Sequence, residues 1–244
     1  MSLREEQVVD PGGDIQSARQ EIVRLNEKIA FLEKKLQLVG SVTRHDILNQ
    51  MTAIVGYNEL IGMMIEDPKL VSYLEKERAA IGRIRRQFQF AKEYQNIAVE
   101  PLRWQNIRNL VFRVAETVDV QNVRLIADTG NAAVLADAGL DKVFFYIFEN
   151  TLRHGVPATE IRVEVTGDAS NRTLVVEDNG PGIPEGEKEK IFERGYGKGT
   201  GWGLFIAREI LAVSGMTLTE CGKEGTGARF EIALPPGHFR ENGE

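Results

Sequence analysis

The strongest constraint in this 244-residue chain is an apolar seam near its start. Ile15, Ala18, Ile22, Leu25, Ile29, Leu32, Leu36 and Val39 follow one another at alternating steps of three and four, with Glu, Lys and Arg on the other faces. A 3.5-residue period keeps the stripe facing one partner helix. It therefore favours a parallel dimeric coiled coil over an amphipathic helix packed on its own domain. The stripe then changes phase and continues through Thr43, Ile47, Met51, Ile54, Asn58, Ile61 and Ile65. The added steps of four form a stutter, which locally unwinds a supercoil. A coiled coil over 14–40 is thus expected to feed a wider helix bundle.

Turn chemistry sets the limits of this region. Asp10-Pro11-Gly12-Gly13 is a breaker cluster, which marks 1–13 as a flexible lead. Asp67-Pro68 offers an N-cap and a first helical residue, so a second helix is expected to about Gln95, with Val71, Leu74, Ile81, Ile84, Phe88 and Ala91 at helical spacing. The two helices make a hairpin over 41–97, and two hairpins from two chains make a four-helix bundle.

The pattern changes after a linker at 96–103 that contains Pro101. Helices are expected at Asn106–Val118, Ala138–His154 and Trp202–Ser214. Strands are expected at Val123–Ala127, Ala133–Ala136, Glu160–Thr166, Thr173–Glu177, Thr217–Cys221 and Ala228–Leu234, with a Gly-rich stretch over 179–203. This order suggests an α/β sandwich over 98–244, one mostly antiparallel sheet with helices on one face. The expected fold class is an all-α coiled coil and helical hairpin followed by that sandwich.

Composition excludes several functions. A net charge of −6 argues against a nucleic-acid partner, whose phosphates need clustered Lys and Arg. The single cysteine, Cys221, forbids an internal disulfide and reads as a buried strand residue. His45, His154 and His238 are too scattered for a zinc site. No apolar run approaches the roughly 20 residues that span a bilayer, and the polar start is not a signal peptide. A cytoplasmic location is expected, with no membrane contact within the chain, which reads either as a whole protein or as the cytoplasmic part of a longer sensor.

Three clusters carry chemistry. Phe144-Phe145-Tyr146-Ile147-Phe148-Glu149-Asn150-Thr151-Leu152-Arg153-His154-Gly155 is an apolar helix with one polar edge. Its amide is a hard ligand suited to Mg²⁺, and its cations suit phosphate. Glu177-Asp178-Asn179-Gly180-Pro181-Gly182-Ile183-Pro184 places a carboxylate at a strand end before a tight turn. Gly197-Lys198-Gly199-Thr200-Gly201-Trp202-Gly203-Leu204 runs glycine-rich backbone into a helix N-terminus, which presents free N–H groups to an anion. Singly, these also fit a decorated helix end, an Asx-capped turn and a flexible hairpin.

Together and in this order the clusters resemble the N box and the two glycine boxes of the Bergerat-fold ATPases, which include gyrase, the MutL repair proteins and histidine kinases. Phe192, in Ile191-Phe192-Glu193-Arg194-Gly195, resembles the histidine kinase F box, and Gly225-Thr226-Gly227-Ala228-Arg229-Phe230 resembles the final glycine motif. The resemblance covers roughly 101–236. It implies that Asn150 binds Mg²⁺, that Arg153 contacts phosphate and that His154 lies against the nucleotide. It implies that Asp178 binds the adenine amine, with Gly180 and Gly182 allowing close backbone approach and Thr226 supporting the contact. Gly199, Gly201 and Gly203, with Thr200, Trp202 and Leu204, would wrap the triphosphate of ATP, and Lys198 would reach the γ-phosphate. Tyr146 stands where this family usually has Asn or Glu, which argues against a water-activating hydrolase.

Ser41-Val42-Thr43-Arg44-His45-Asp46-Ile47-Leu48-Asn49-Gln50 resembles the H box of histidine kinases, with Gln50 where a proline is usual. Ile47 lies on the buried stripe, and His45 is about 200° around the helix from it, so His45 is expected to face solvent. Neutral imidazole is a good nucleophile near neutral pH. Asp46 can hold the tautomer that frees the attacking nitrogen, or accept its proton. By resemblance, Asn49 can orient a water in a reverse, phosphatase reaction. The chain therefore reads as the dimeric core of a sensor histidine kinase, which phosphorylates His45 from ATP and passes the phosphoryl group to a response-regulator receiver domain. The alternatives are a degenerate nucleotide-binding scaffold that signals by conformation, and a Bergerat-type serine kinase or ATPase.

Overall fold

In a computed structural model the described residues are 11–118, 123–155, 157–168, 171–197 and 201–241. The chain divides into two compact units, Met1–Phe88 and Gln89–Glu244.

The first unit is helical. Helix α1, Pro11–Met64, runs 54 residues without a break, about 80 Å at 1.5 Å per residue. The expected breaker Pro11-Gly12-Gly13 is instead its first turn, because proline at the first helical position gives up no hydrogen bond. Residues 1–10 of the expected lead lie outside the described residues. Helix α2 spans Pro68–Gln95. Asp67 caps it: its Oδ1 accepts the Lys69 N–H at 2.8 Å and its carbonyl accepts the Val71 N–H at 3.0 Å.

Met51 and Ile81 are buried in the hairpin, and so is Asn58, only 2% exposed. A buried amide costs free energy unless it is paired, and this one is. Arg78 Nε donates to Asn58 Oδ1 at 2.6 Å, while Asn58 Nδ2 donates to Glu77 Oε2 at 3.1 Å and to the Leu74 carbonyl at 3.4 Å. The seam differs. In the single chain Ile15, Ile22, Leu25, Ile29, Leu32, Leu36 and Val39 are 45–69% exposed, so the stripe stays in solvent unless another helix covers it.

The second unit begins inside α2, at Gln89. Its further elements are β1 (Arg103–Asn106), α3 (Ile107–Val118), β2 (Arg124–Asp128), β3 (Ala132–Ala136), α4 (Leu140–His154), β4 (Glu160–Thr166), β5 (Thr173–Asp178), α5 (Gly203–Val213), β6 (Thr217–Glu220), β7 (Arg229–Ala233) and β8 (Phe239–Glu241). Single 3₁₀ turns lie at Glu185–Glu187 and Lys190–Phe192. Among the described residues there are two sheets where one was expected. β3 pairs antiparallel with β1 and β8 in a three-stranded sheet, and the other strands form a five-stranded sheet in the order β2-β4-β5-β7-β6. Only its β2–β4 pair is parallel, and it is joined by the long crossover through β3 and α4 that parallel pairing needs.

The large sheet presents Ile161 and Val163, Leu174 and Val176, and Phe230 and Ile232 to the core. There they meet Leu110 and Val114 of α3, Phe144, Ile147 and Phe148 of α4, and Ile206 and Ile210 of α5. Full burial of each such side chain contributes roughly 1.5–3 kcal/mol. This core fixes the direction of α4 and the end of β5. Cys221 is exposed, not buried: Leu218 and Glu220 take the inward side of β6, so alternation turns Cys221 outward. No described helix is long and apolar enough to cross a membrane.

Candidate functional site

β5 ends on Asp178, which is 6% exposed. Its Oδ1 accepts the N–H groups of Gly180 at 2.9 Å and Ala228 at 3.1 Å, and its Oδ2 accepts the Thr151 hydroxyl at 2.7 Å. The end of β5, the start of β7 and helix α4 thus converge on one carboxylate. Backbone approach is close here. Gly227 has φ 134°, and a Cβ on it would stand 1.8 Å from the Asp178 carbonyl oxygen. Gly182, at φ 72°, lies against the carbonyls of Lys223 and Gly227. A Cβ on Gly180 would stand 2.5 Å from the Gly155 carbonyl oxygen.

Beside α4 is a cleft of about 580 Å³. Asn150, Arg153 and His154 line it from the polar edge of α4, Gly182 and Ile183 from the turn after β5, and Gly201, Trp202, Gly203 and Leu204 from the start of α5. Arg153 donates to Glu149 one turn back, at 2.7 Å, so its charge is partly met within the helix. The first turn of α5 has N–H groups without intrahelical acceptors, and these suit an anion. Gly201 has φ 66°, a left-handed conformation that favours glycine. Lys198, Gly199 and Thr200 lie outside the described residues.

Thr226 is exposed, and its hydroxyl donates to the Lys223 carbonyl at 2.8 Å. The hydroxyl on Asp178 belongs to Thr151, which sequence reading passed over because it lies on the buried face of α4 beside Asn150. Ile183, Ile191 and Tyr196 also line the cleft, and the sequence marks them only by their nearness to the glycine and F boxes. Phe192 is buried in the core edge-on to Phe230, its ring covered by the Arg208 guanidinium 3.9 Å from its centroid.

His45, Asp46 and Asn49 lie on α1, in the other unit. The His45 side chain is 74% exposed. Its Nδ1 lies 3.1 Å from Asp46 Oδ1, and Asn49 Nδ2 is 3.4 Å from each ring nitrogen. With a proton on Nδ1 shared with Asp46, Nε2 carries the lone pair, with the Asn49 amide 3.4 Å away.

Residues 136–238 match the model of the histidine kinase-, DNA gyrase B- and HSP90-like ATPases. Over those residues the chain is similar to the ATPase domain of that family. Sensor protein KdpD of Escherichia coli (strain K12) is 34% identical over 102 residues, 39% of this chain and 11% of that protein. The alginate biosynthesis sensor protein KinB of Pseudomonas aeruginosa is 34% identical over 101 residues, 39% of this chain and 17% of that protein. The chain thus spans only a small part of either relative. Sensor histidine kinase YcbM of Bacillus subtilis (strain 168) is 23% identical over 238 residues, 86% of this chain and 75% of that protein. Among solved structures, the histidine kinase AdeS of Acinetobacter baumannii superposes with a TM-score of 0.53 at 18% identity, over 78% of this chain and 98% of that one, a likeness of fold.

Within the matched residues, Tyr146 has a defined setting. Its ring packs on Gly203, the first residue of α5, and its hydroxyl donates to Glu93. Burial raises its pKa far above the ordinary tyrosine value, and the hydrogen bond to Glu93 raises it further. It keeps its proton at physiological pH and does not act there as a base for water.

Proposed function

We propose that the chain is the core of a two-component sensor histidine kinase, in which ATP bound in the cleft phosphorylates His45. The observation that carries this reading is the exposed His45 imidazole with Asp46 on its Nδ1, in the same chain as a domain similar to those ATPases. In the bound state the adenine amine donates to Asp178. The phosphates run past Arg153 to the N–H groups at the start of α5. Asn150 lines the cleft, and its amide oxygen is a hard ligand that suits a magnesium ion. Such an ion offsets the charge on the phosphates.

The reaction is a displacement at the γ-phosphorus. The Nε2 lone pair forms the N–P bond, the bond to the bridging oxygen breaks, and ADP leaves with that electron pair. Asp46 accepts the Nδ1 proton as positive charge develops on the ring. The phosphoryl group then passes to an aspartate of a response-regulator receiver domain, and Asn49 serves the reverse, dephosphorylating reaction. The exposed seam of α1 fits a homodimer, and this part of the protein works in the cytoplasm.

The chemistry of the label tests the reading. Incubation with γ-labelled ATP and magnesium is expected to give acid-labile, alkali-stable label, as phosphohistidine does. Acid-stable label would point to a serine kinase, and nucleotide binding without transfer to a scaffold.

A further inference from the structure

We propose that Tyr146 is a positioning residue for the nucleotide, anchored from outside the cleft by Glu93 in the last turn of α2. The inference rests on the nucleotide reading of the cleft and assigns roles to two residues that reading does not use.

The ring of Tyr146 covers the start of α5. A Cβ on Gly203 would stand 2.6 Å from Tyr146 Cδ1, and both residues border the cleft. The N–H groups of that first turn are the ones that face a phosphate chain. The position of the ring therefore decides where the Gly201–Gly203 backbone lies.

Two contacts hold the ring. Phe145 meets it edge-on at 5.5 Å between centroids, and Glu93, 53 residues away in sequence, accepts its hydroxyl. A phenylalanine would fill the same space, so packing alone does not call for the hydroxyl or its carboxylate partner. Glu93 is itself fixed. Its second oxygen accepts from Gln89 Nε2 at 2.5 Å. One turn back along α2, Phe90 packs edge-on to Trp202 with 4.1 Å between centroids. The Arg194 guanidinium lies 5.5 Å from the Phe90 ring and 5.6 Å from the Trp202 ring. The next residue after Glu93, Tyr94, donates to Glu209 of α5 at 3.0 Å. The last two turns of α2 thus grip the start of α5 through Trp202 and through Tyr146. These are all contacts within the second unit.

The test is calorimetric titration of the full chain with ADP in magnesium. Tyr146→Phe should raise the dissociation constant about fivefold, ~1 kcal/mol, the net worth of a typical intramolecular hydrogen bond. Glu93→Ala should match it, and Glu93→Gln, which keeps an acceptor oxygen, should restore most of the affinity. The double variant Tyr146→Phe/Glu93→Ala should bind no more weakly than either single, as expected for one shared interaction. Trp202 emission, read in a Trp104→Phe background, should shift in the same variants before ligand is added. Tyr73→Phe, in the first half of α2, should change nothing. Wild-type affinity in both singles, or additive losses in the double, would overturn the proposal. A wild type that does not bind ADP would instead overturn the nucleotide reading itself.

Discussion

The Thr151 hydroxyl donates to Asp178 Oδ2 at 2.7 Å, linking the end of β5 to the helix that carries Asn150. This bond fixes the orientation of the one buried carboxylate at the site. Asp178→Asn is nearly isosteric and keeps an oxygen for the Gly180 and Ala228 N–H groups. In the proposed nucleotide pose, however, its amide nitrogen would face the adenine amine donor to donor. ATP affinity is expected to fall at least about 50-fold, ~2.3 kcal/mol, with little loss of melting temperature. Thr151→Val leaves the carboxylate charged but loosely held, with an expected loss of about fivefold. Fluorescent-nucleotide titration alongside thermal unfolding checks both.

Gly227 and Gly225 both have positive φ, 134° and 86°, but only Gly227 is crowded. Gly225→Ala meets nothing within 4 Å and should cost only the backbone strain, about 1–2 kcal/mol. Gly227→Ala would press a methyl group onto the Asp178 carbonyl oxygen and should cost more than ~3 kcal/mol. Denaturant titration of the two variants measures the difference, and equal costs would contradict the close approach.

Much of this was legible in the sequence, for physical reasons that differ by element. β4 and β5 read as strands of 6–7 residues, β4 by alternation and β5 by its apolar Leu174-Val175-Val176 run, and their ends agree with the expected ones within one residue. β1 and β8, at 4 and 3 residues, are too short to show a period. Their pairing with β3 joins segments about 30 and 100 residues apart, so local pattern suggests one sheet where there are two. The cleft lining was legible because glycine boxes fix backbone, and backbone needs leave marks in composition. The motif marked Thr226 as supporting the adenine contact, whereas Thr151 was hidden on a core-facing helix. The Glu93–Tyr146 contact leaves no local mark because it joins separate helices. Cys221 was misread because Leu218 and Glu220 take the inward positions, which leaves Cys221 on the outward side of the alternation.

Asn58 is a buried polar side chain shared among Arg78, Glu77 and the Leu74 carbonyl. Asn58→Ala empties a buried position and removes the partner of Arg78, Glu77 and the Leu74 carbonyl. It should destabilise the hairpin by about 1–3 kcal/mol. Asn58→Asp, which keeps an acceptor for Arg78 but loses the donors to Glu77 and Leu74, should lose part of that. Circular dichroism during urea unfolding checks the order.

Tyr146 carries a raised pKa in the folded chain, chiefly from burial and then from Glu93. The stabilisation linked to its protonated form is complete below the unfolded tyrosine value of about 10, and is lost as the pH rises toward the folded value. Between about pH 9 and 10 the native chain should keep Tyr146 un-ionised. Tyrosinate absorbance of wild type and Tyr146→Phe should therefore coincide there while both stay folded. A step missing from the variant would show that the phenol is open to solvent.

The most direct measurement compares wild type and His45→Gln in γ-labelled ATP with magnesium, with ADP affinity measured on both. His45 is exposed on α1 and contributes nothing to the cleft lining, so the two should bind ADP equally well. Acid-labile label is expected on wild type and should be absent from His45→Gln. Equal acid-labile label on both proteins would contradict His45 as the phosphoacceptor.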